Sequence, residues 1–122
     1  MKLQVSSAGR LHAFTAYGEG YVEVDGQRHV ASLVVLPERV APWPVPGFEA
    51  LAEAHFEALA ALAPEVVLLG TGATLRFPHP SLLRPLARAR IGFETMDTRA
   101  ACRTYNVLVA EGRKVAAALL LG

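Results

Sequence analysis

In the first third of the chain, apolar and polar residues alternate with a period of two, which predicts strands that have one solvated face. Two glycines interrupt the alternation and indicate a bend or a bulge. Asp25 and Gly26 are typical of a two-residue hairpin turn, because both turn positions require positive φ. A β-branched strand follows over residues 30–36. We therefore expect an antiparallel sheet here, preceded by residues 1–11 as a short strand or a loose arm.

The middle of the chain begins with a proline-rich loop and a helix. Residues 37–47 contain four prolines and Trp43. Such a stiff loop either packs its aromatic residue over the edge of the core or presents it to a partner. Residues 48–62 place their apolar side chains on one stripe at a spacing of 3.6 residues, which predicts an amphipathic helix with glutamates on the opposite face.

Apolar strands and helices alternate in the second half. Residues 66–69 and 115–121 are apolar without alternation, as in strands of a parallel sheet that helices cover on both faces. Pro80 can begin a helix, since its missing N–H costs nothing in the first turn. Residues 92–95 form a further short strand. These elements predict right-handed crossover connections between parallel strands.

The best-defined helix begins after Asp97, which is a favourable N-cap. It runs from Thr98 to about Ala110. Gly112 follows as a left-handed C-cap, a position that glycine favours because it lacks a Cβ.

Composition narrows the class of protein. The 122 residues fit one domain, residues 1–122, with one core. Hydrophobic residues make up 52% of the chain and charged residues 19%, which excludes an intrinsically disordered chain. The net charge of +1 supplies no strong field for nucleic acid or an acidic membrane surface, so we predict no nucleic-acid partner.

The cysteine count and the hydropathy of the chain indicate the cellular compartment in which the protein is expected. The chain has one cysteine and can form no internal disulfide, which fits a reducing environment. Its first residues lack the apolar stretch of a secretory signal, and no apolar run approaches the ~20 residues that span a bilayer. We predict a cytoplasmic protein without a transmembrane segment.

A Gly-Thr-Gly loop follows the first buried strand, as a dinucleotide-binding loop would. That fingerprint requires a third glycine where this chain has Leu75, and the next helix begins too late to bind a phosphate. Two interpretations stay open: a tight turn that leaves the sheet, or a small anion site at the strand ends. The residues of that anion site would be Gly70, Thr71, Gly72, Arg76, Asp97 and Thr98.

The sequence gives only weak signals for a cysteine nucleophile or a histidine metal site. Cys102 lies within the last helix, away from the N-terminus where the dipole lowers a thiol pKa most, and no histidine is placed beside it. The four histidines lack the spacing of metal ligands. We predict no catalytic residue, no metal and no cofactor, and the sequence leaves open whether the protein is an enzyme.

The last helix also carries a polar face. Arg99 and Arg103 lie one turn apart, and with Arg76 they could converge near the strand ends; an ordinary solvated face is the alternative. Asn106 is unfavourable within a helix unless it bonds to neighbouring backbone or faces a partner. Acidic and basic helix faces could also pair between molecules, so a homodimer is a further expectation.

Several motifs make the chain recognisable. They are Leu-Leu-Gly-Thr-Gly at residues 68–72, Met-Asp-Thr and Thr-Tyr-Asn within residues 92–106, and the closing Glu-Gly-Arg-x-Val-Ala-Ala-Ala-Leu. With these motifs the chain resembles, over nearly its whole length, a family of small uncharacterised bacterial and archaeal domains. That family includes mitochondrial respiratory complex I assembly factor three.

The resemblance implies an α/β fold: a three-layer domain around a mixed, partly parallel sheet, with an N-terminal β-hairpin packed beside it. For the mitochondrial member it implies a non-catalytic role in which the protein binds a second assembly factor. The chain lacks a mitochondrial targeting extension, which implies a bacterial protein.

We therefore predict a non-catalytic protein-binding module, with a protein partner, that assists assembly of a respiratory or other multi-subunit complex. The alternative is a small-ligand or anion-binding protein, or an enzyme, that uses the Gly-Thr-Gly loop. The residues predicted to form the partner or ligand surface are Trp43, Gly70, Thr71, Gly72, Arg76, Asp97, Thr98, Arg99, Arg103 and Asn106.

Overall fold

A computed structural model of the protein describes residues 11–121 and contains two β-sheets. The smaller is antiparallel, with strands in the order β1-β2-β3: β1 (Phe14–Gly18), β2 (Tyr21–Val24) and β3 (Gln27–His29). The larger has the order β5-β4-β8-β6-β7: β4 (Leu33–Leu36), β5 (Arg39–Pro42), β6 (Val66–Gly70), β7 (Gly92–Met96) and β8 (Val115–Leu119). The arm or strand predicted over residues 1–11 lies outside the described residues except for its last residue.

The larger sheet is mixed. Strand β6 pairs in parallel with β7 and β8, whereas β4 pairs antiparallel with β5 and β8. The helices are α1 (Glu53–Ala61), α2 (Arg84–Arg88) and α3 (Thr98–Ala110), with 3-10 turns at Phe48–Ala50 and Pro80–Leu83. No helix within the described part of the chain combines the length and the apolar character that crossing a membrane requires.

The sheet separates two apolar cores because successive side chains of a strand point to opposite faces. Leu68 of β6 packs in one core with Tyr105 of α3 and with the small sheet. Val67 and Leu69 pack in the other core with Phe56 of α1 and with α2. The predicted three-layer α/β fold around a mixed sheet is therefore confirmed, with an N-terminal antiparallel unit beside it.

The predicted hairpin turn is confirmed. Asp25 and Gly26 have φ values of 51° and 84°, and Val24 pairs with Gln27 across them. The Asp25 carboxylate also accepts a hydrogen bond from the Ala13 N–H at 3.1 Å, which ties the turn to the start of β1.

Two details of the first half were predicted wrongly. The strand expected over residues 30–36 is shorter and belongs to the large sheet, where Leu33 pairs with Leu119. Its side chains are all buried, so it needs cover on both faces, which the small sheet cannot supply. The proline-rich segment 37–47 contains the edge strand β5, which ends at Pro42, and an edge tolerates a missing N–H.

The single helix predicted over residues 48–62 is also interrupted. Leu51 and Ala52 adopt extended backbone between a 3-10 turn and α1. The imidazole Nδ1 of His55 accepts the Ala52 N–H at 2.9 Å, so a side chain caps the start of α1 at Glu53.

Helix α3 has the predicted bounds. The Asp97 carboxylate accepts the Ala100 N–H at 2.8 Å, and Gly112 adopts φ of 84° after the last turn. Both caps are local, which explains why the helix could be located from sequence.

Candidate functional site

A cleft of about 670 Å³ opens at the carboxyl ends of the parallel strands. It is lined by residues 18–20 of the β1–β2 turn, residues 72–73 after β6, residues 97–99 at the start of α3, and residues 120–121. This edge of an α/β sheet is where ligands commonly bind. Four residues of the predicted surface meet here: Gly72, Asp97, Thr98 and Arg99.

Parallel pairing explains why these residues meet. Gly70, at the end of β6, pairs with Met96, at the end of β7. The chain then leaves β6 towards α2 and leaves β7 towards α3, and these helices lie against opposite faces of the sheet. Loops that diverge in this way open a crevice between them.

The two loops are hydrogen-bonded to each other. The Gly72 N–H donates to the Thr98 hydroxyl oxygen at 2.9 Å, and the Thr98 N–H donates to the Gly72 carbonyl at 2.9 Å. The Ala100 and Ala101 amides donate to Asp97. Since these donors of the first helical turn are already bonded, they are not available to an anion in this conformation.

Thr71 closes the loop on itself. Its hydroxyl donates to the Thr74 carbonyl at 2.7 Å and accepts the Arg76 N–H at 3.2 Å. Its own N–H donates to the Met96 carbonyl at 3.0 Å. These bonds support the tight-turn interpretation of the Gly-Thr-Gly loop, and they use the Thr71 and Arg76 amides within the protein.

The two glycines of this loop meet different constraints. Gly70 has no room for a side chain, because a Cβ there would lie 2.7 Å from Cδ2 of Leu119 and 3.3 Å from Cα of Thr98. Gly72 has open space around it, but its φ of 88° is unfavourable for residues with a Cβ.

Gly72→Val is therefore expected to reduce the free energy of unfolding by about 1–2 kcal/mol through backbone strain alone. Gly47→Val is the matched control, since Gly47 also has open space but adopts extended backbone; it should stay within about 0.5 kcal/mol of the wild type. Urea unfolding followed by circular dichroism measures both. Equal losses in the two variants would contradict the strain argument.

Arg76 pairs with the segment before α1, whereas convergence with Arg99 and Arg103 at the strand ends was one of two open interpretations. Its guanidinium donates to the carboxylate of Glu49 and lies 4.2 Å from the centre of the Phe48 ring. This hydrogen bond lowers the pKa of Glu49. The sequence could not show the pairing, because 27 residues separate the two partners.

Trp43 is a core residue and not part of an exposed surface. Its side chain is only 5% exposed, and it meets the rings of His55 and Phe56 edge-on at 6.3 and 6.4 Å. Its indole N–H is buried without a hydrogen-bond partner within residues 11–121. Of the two interpretations open for Trp43, packing over the core edge is the one observed.

Asn106 serves the fold. Its side-chain oxygen accepts the Phe14 N–H at 2.9 Å, and its side-chain amide donates to the Phe14 carbonyl at 2.8 Å. One turn earlier, Cys102 is fully buried, and burial raises its thiol pKa to about 12. A thiol in that state is a poor nucleophile at neutral pH.

Arg99 and Arg103 are the predicted surface residues that remain exposed on α3. The Arg103 guanidinium donates to the Tyr17 hydroxyl at 3.3 Å, and this bond raises its pKa. Val107, one turn further along the same face, is 57% exposed and was not identified from the sequence. The three side chains form an exposed stripe, which we call the α3 stripe, and they recur every four residues as neighbours on a helix do.

The loop that follows the Gly-Thr-Gly turn was not identified from the sequence as a candidate surface. Leu75 and Phe77 are exposed there by 47% and 72%. The available signal was two large apolar residues on either side of Arg76, in a segment too short to form a strand.

Comparisons with known proteins agree with the predicted family. The family profile described as "Protein of unknown function (DUF498/DUF598)" matches residues 14–120. NADH dehydrogenase (ubiquinone) 1 alpha subcomplex assembly factor 3 of Bos taurus is 33% identical over 120 residues, which are 97% of this chain and 65% of the bovine protein. The chain thus spans slightly less than two thirds of that relative's length.

Bacterial relatives are similar in length. An uncharacterised protein of Rhodobacter capsulatus is 41% identical over 106 residues, which cover 85% of this chain and 80% of that protein. The crystal structure of a Bordetella parapertussis protein is 44% identical, covers 94% of this chain and 99% of its own, and superposes with a TM-score of 0.89. The matched profile includes all eight strands and all three helices described above. The chain therefore belongs to the DUF498/DUF598 family, and its relatives include the bovine protein named as an assembly factor of NADH dehydrogenase (ubiquinone).

Proposed function

We propose that the protein is a non-catalytic protein-binding module that assists the assembly of a multi-subunit complex. One observation carries the proposal: a protein named as an assembly factor aligns with 97% of this chain at 33% identity. The alignment leaves little of the chain for a separate activity, so the shared domain is itself the candidate for the shared role.

The contacts at the predicted site support a binding role over a chemical one. The Thr71 and Gly72 amides after β6 are bonded within the protein, Asn106 holds β1, and Cys102 is buried with a raised pKa. Within α3, these contacts leave the α3 stripe of Arg99, Arg103 and Val107 exposed. Arginine is enriched at protein interfaces and among the residues that contribute most to their affinity.

Charge reversal on the α3 stripe tests both the proposed binding role and the α3 stripe as the binding surface. Tagged wild-type protein, the Arg99→Glu/Arg103→Glu variant and a matched Arg84→Glu/Arg88→Glu variant of α2 would be isolated from the native host, and bound proteins identified by mass spectrometry. We expect subunits or assembly factors of a multi-subunit complex with the wild type and the α2 control. We expect at least about a tenfold loss with the α3 variant, because interface arginines often contribute 2 kcal/mol or more.

The outcomes separate the two claims. If all three proteins retain the same partners, the α3 stripe is not the surface, and the binding role stands. If the wild type retains nothing beyond an unrelated tagged protein, the binding role fails.

The second candidate function is small-ligand binding in the cleft, and its volume of about 670 Å³ favours that candidate. The charged groups at its rim are Glu19, Asp97 and Arg99, two acidic and one basic, so the rim does not favour an anion. A failed partner search would move attention to this cleft, where thermal shift with nucleotides, organic anions and neutral metabolites is the appropriate screen.

A further inference from the structure

The loop after the Gly-Thr-Gly turn presents two large apolar side chains to solvent. Phe77 is 72% exposed, more than any other large apolar side chain in the described part of the chain, and Leu75 is 47% exposed. Single exposed apolar residues are common, but two that lie on either side of one residue form a local patch. We call residues 74–77 the apolar loop.

The apolar loop is held in place. The Thr74 carbonyl and the Arg76 N–H both bond to the Thr71 hydroxyl. The Arg76 side chain is turned back onto Phe48 and its neighbour Glu49, and Pro78 is buried. Because these contacts fix the loop before binding, a partner would lose little conformational entropy by engaging it.

The patch carries little net charge. Arg76 is the one ionisable residue between residues 73 and 78, and its guanidinium is already paired with Glu49. The loop therefore offers no unpaired charge with which a charged partner surface could form an ion pair. The complementary surface is therefore apolar.

The size of the patch argues against a stable dimer formed through it. An aromatic side chain offers about 150–250 Å² in all, so the two residues expose at most a few hundred Å². A stable interface buries about 800 Å² on each partner. The loop is better suited to be an anchor within a larger contact, in which a few apolar side chains fill a pocket and contribute most of the affinity.

We infer that Leu75 and Phe77 are an apolar anchor for a subunit that has not yet entered its complex. Obligate subunit interfaces are apolar, resembling a domain core cut in half, and are exposed until assembly is complete. A preformed apolar loop can occupy a pocket in such a surface and protect it. This inference rests on the proposed assembly role and names the chemistry of its partner.

Site-specific crosslinking tests which protein contacts the apolar loop. A photoreactive p-benzoylphenylalanine would be incorporated at position 75, which leaves Phe77 in place, and separately at position 30 as a control. Val30 is 62% exposed and lies outside the apolar loop. We expect an adduct with a subunit of a multi-subunit complex from position 75 and none from position 30. An adduct with a second copy of this chain, or equal adducts from both positions, would overturn the inference.

A binding measurement separates this inference from the assembly role. Phe77→Ser should weaken capture of the crosslinked partner at least about tenfold, whereas Val30→Ser should leave it unchanged. Both residues are exposed, so both variants should keep the melting temperature of the wild type. If Phe77→Ser captures the partner as well as the wild type does, the anchor is wrong while the assembly role stands. If the wild type captures no partner at all, both fail.

Discussion

Trp43→Ala is expected to reduce the free energy of unfolding by about 3–5 kcal/mol. The side chain is almost fully buried and meets the rings of His55 and Phe56, so truncation leaves a cavity where three rings now pack. Because Trp43 is the only tryptophan, unfolding in urea should be followed by far-ultraviolet circular dichroism and not by fluorescence.

Trp43→Phe is the informative control for that result. It retains an aromatic ring and removes the indole N–H, which is buried without a partner in the described residues. An unsatisfied buried donor costs about 1–3 kcal/mol, so removing it should offset much of the lost packing and leave a net change of about 1 kcal/mol or less. A loss below about 1 kcal/mol in the alanine variant would contradict the burial of Trp43.

The same burial affects how partner binding is measured. A Trp43 variant that binds no partner would report partial unfolding and not a lost contact. Exposed residues such as Arg99, Arg103 and Phe77 are the appropriate positions for binding variants.

Asn106→Ala is expected to reduce the free energy of unfolding by about 2–4 kcal/mol, since it removes two hydrogen bonds and leaves the N–H and the carbonyl of Phe14 without these partners. Because those bonds join α3 to β1, the small sheet should also open locally more often than in the wild type. Hydrogen exchange should therefore accelerate most in β1 and β2, and in β6 and β8 only as far as global stability falls.

Two variants test the assignment to Asn106. Asn106→Asp keeps the acceptor for the Phe14 N–H but places a second acceptor oxygen against the Phe14 carbonyl, so we expect no rescue relative to the alanine variant. Val107→Ala changes an exposed neighbour and should have an effect within about 0.5 kcal/mol. Unchanged exchange in β1 of the alanine variant would show that the small sheet is held by its apolar contacts alone.

The sequence alone was sufficient for those elements whose causes lie within a few residues. Helix α3 was predicted from Asp97 and Gly112, whose caps act on the adjacent turn. The turn at Asp25 and Gly26 follows from the backbone preferences of two residues. Apolar runs identified β6 and β8 as buried strands, and parallel pairing then predicts that loops after β6 and β7 meet at one edge.

Contacts between distant residues were decided by the tertiary structure. Strand β4 could have joined either sheet, and its pairing with β8 depends on residues more than eighty positions away. Trp43 could have packed or projected, and the rings of α1 determined that it packs. Arg76 was expected at the strand ends but pairs with Glu49 in the segment before α1.

The candidate site divides in the same way. Its position, at the edge where the Gly-Thr-Gly loop meets the start of α3, could be predicted because backbone direction and burial follow from local pattern. Which of its groups are free to bind a ligand or partner could not be predicted from the sequence. A hydrogen-bond donor is available only if no other part of the chain reaches it. The fold bonds Gly72 to Thr98 and Asn106 to Phe14, and leaves Arg99 and Phe77 exposed.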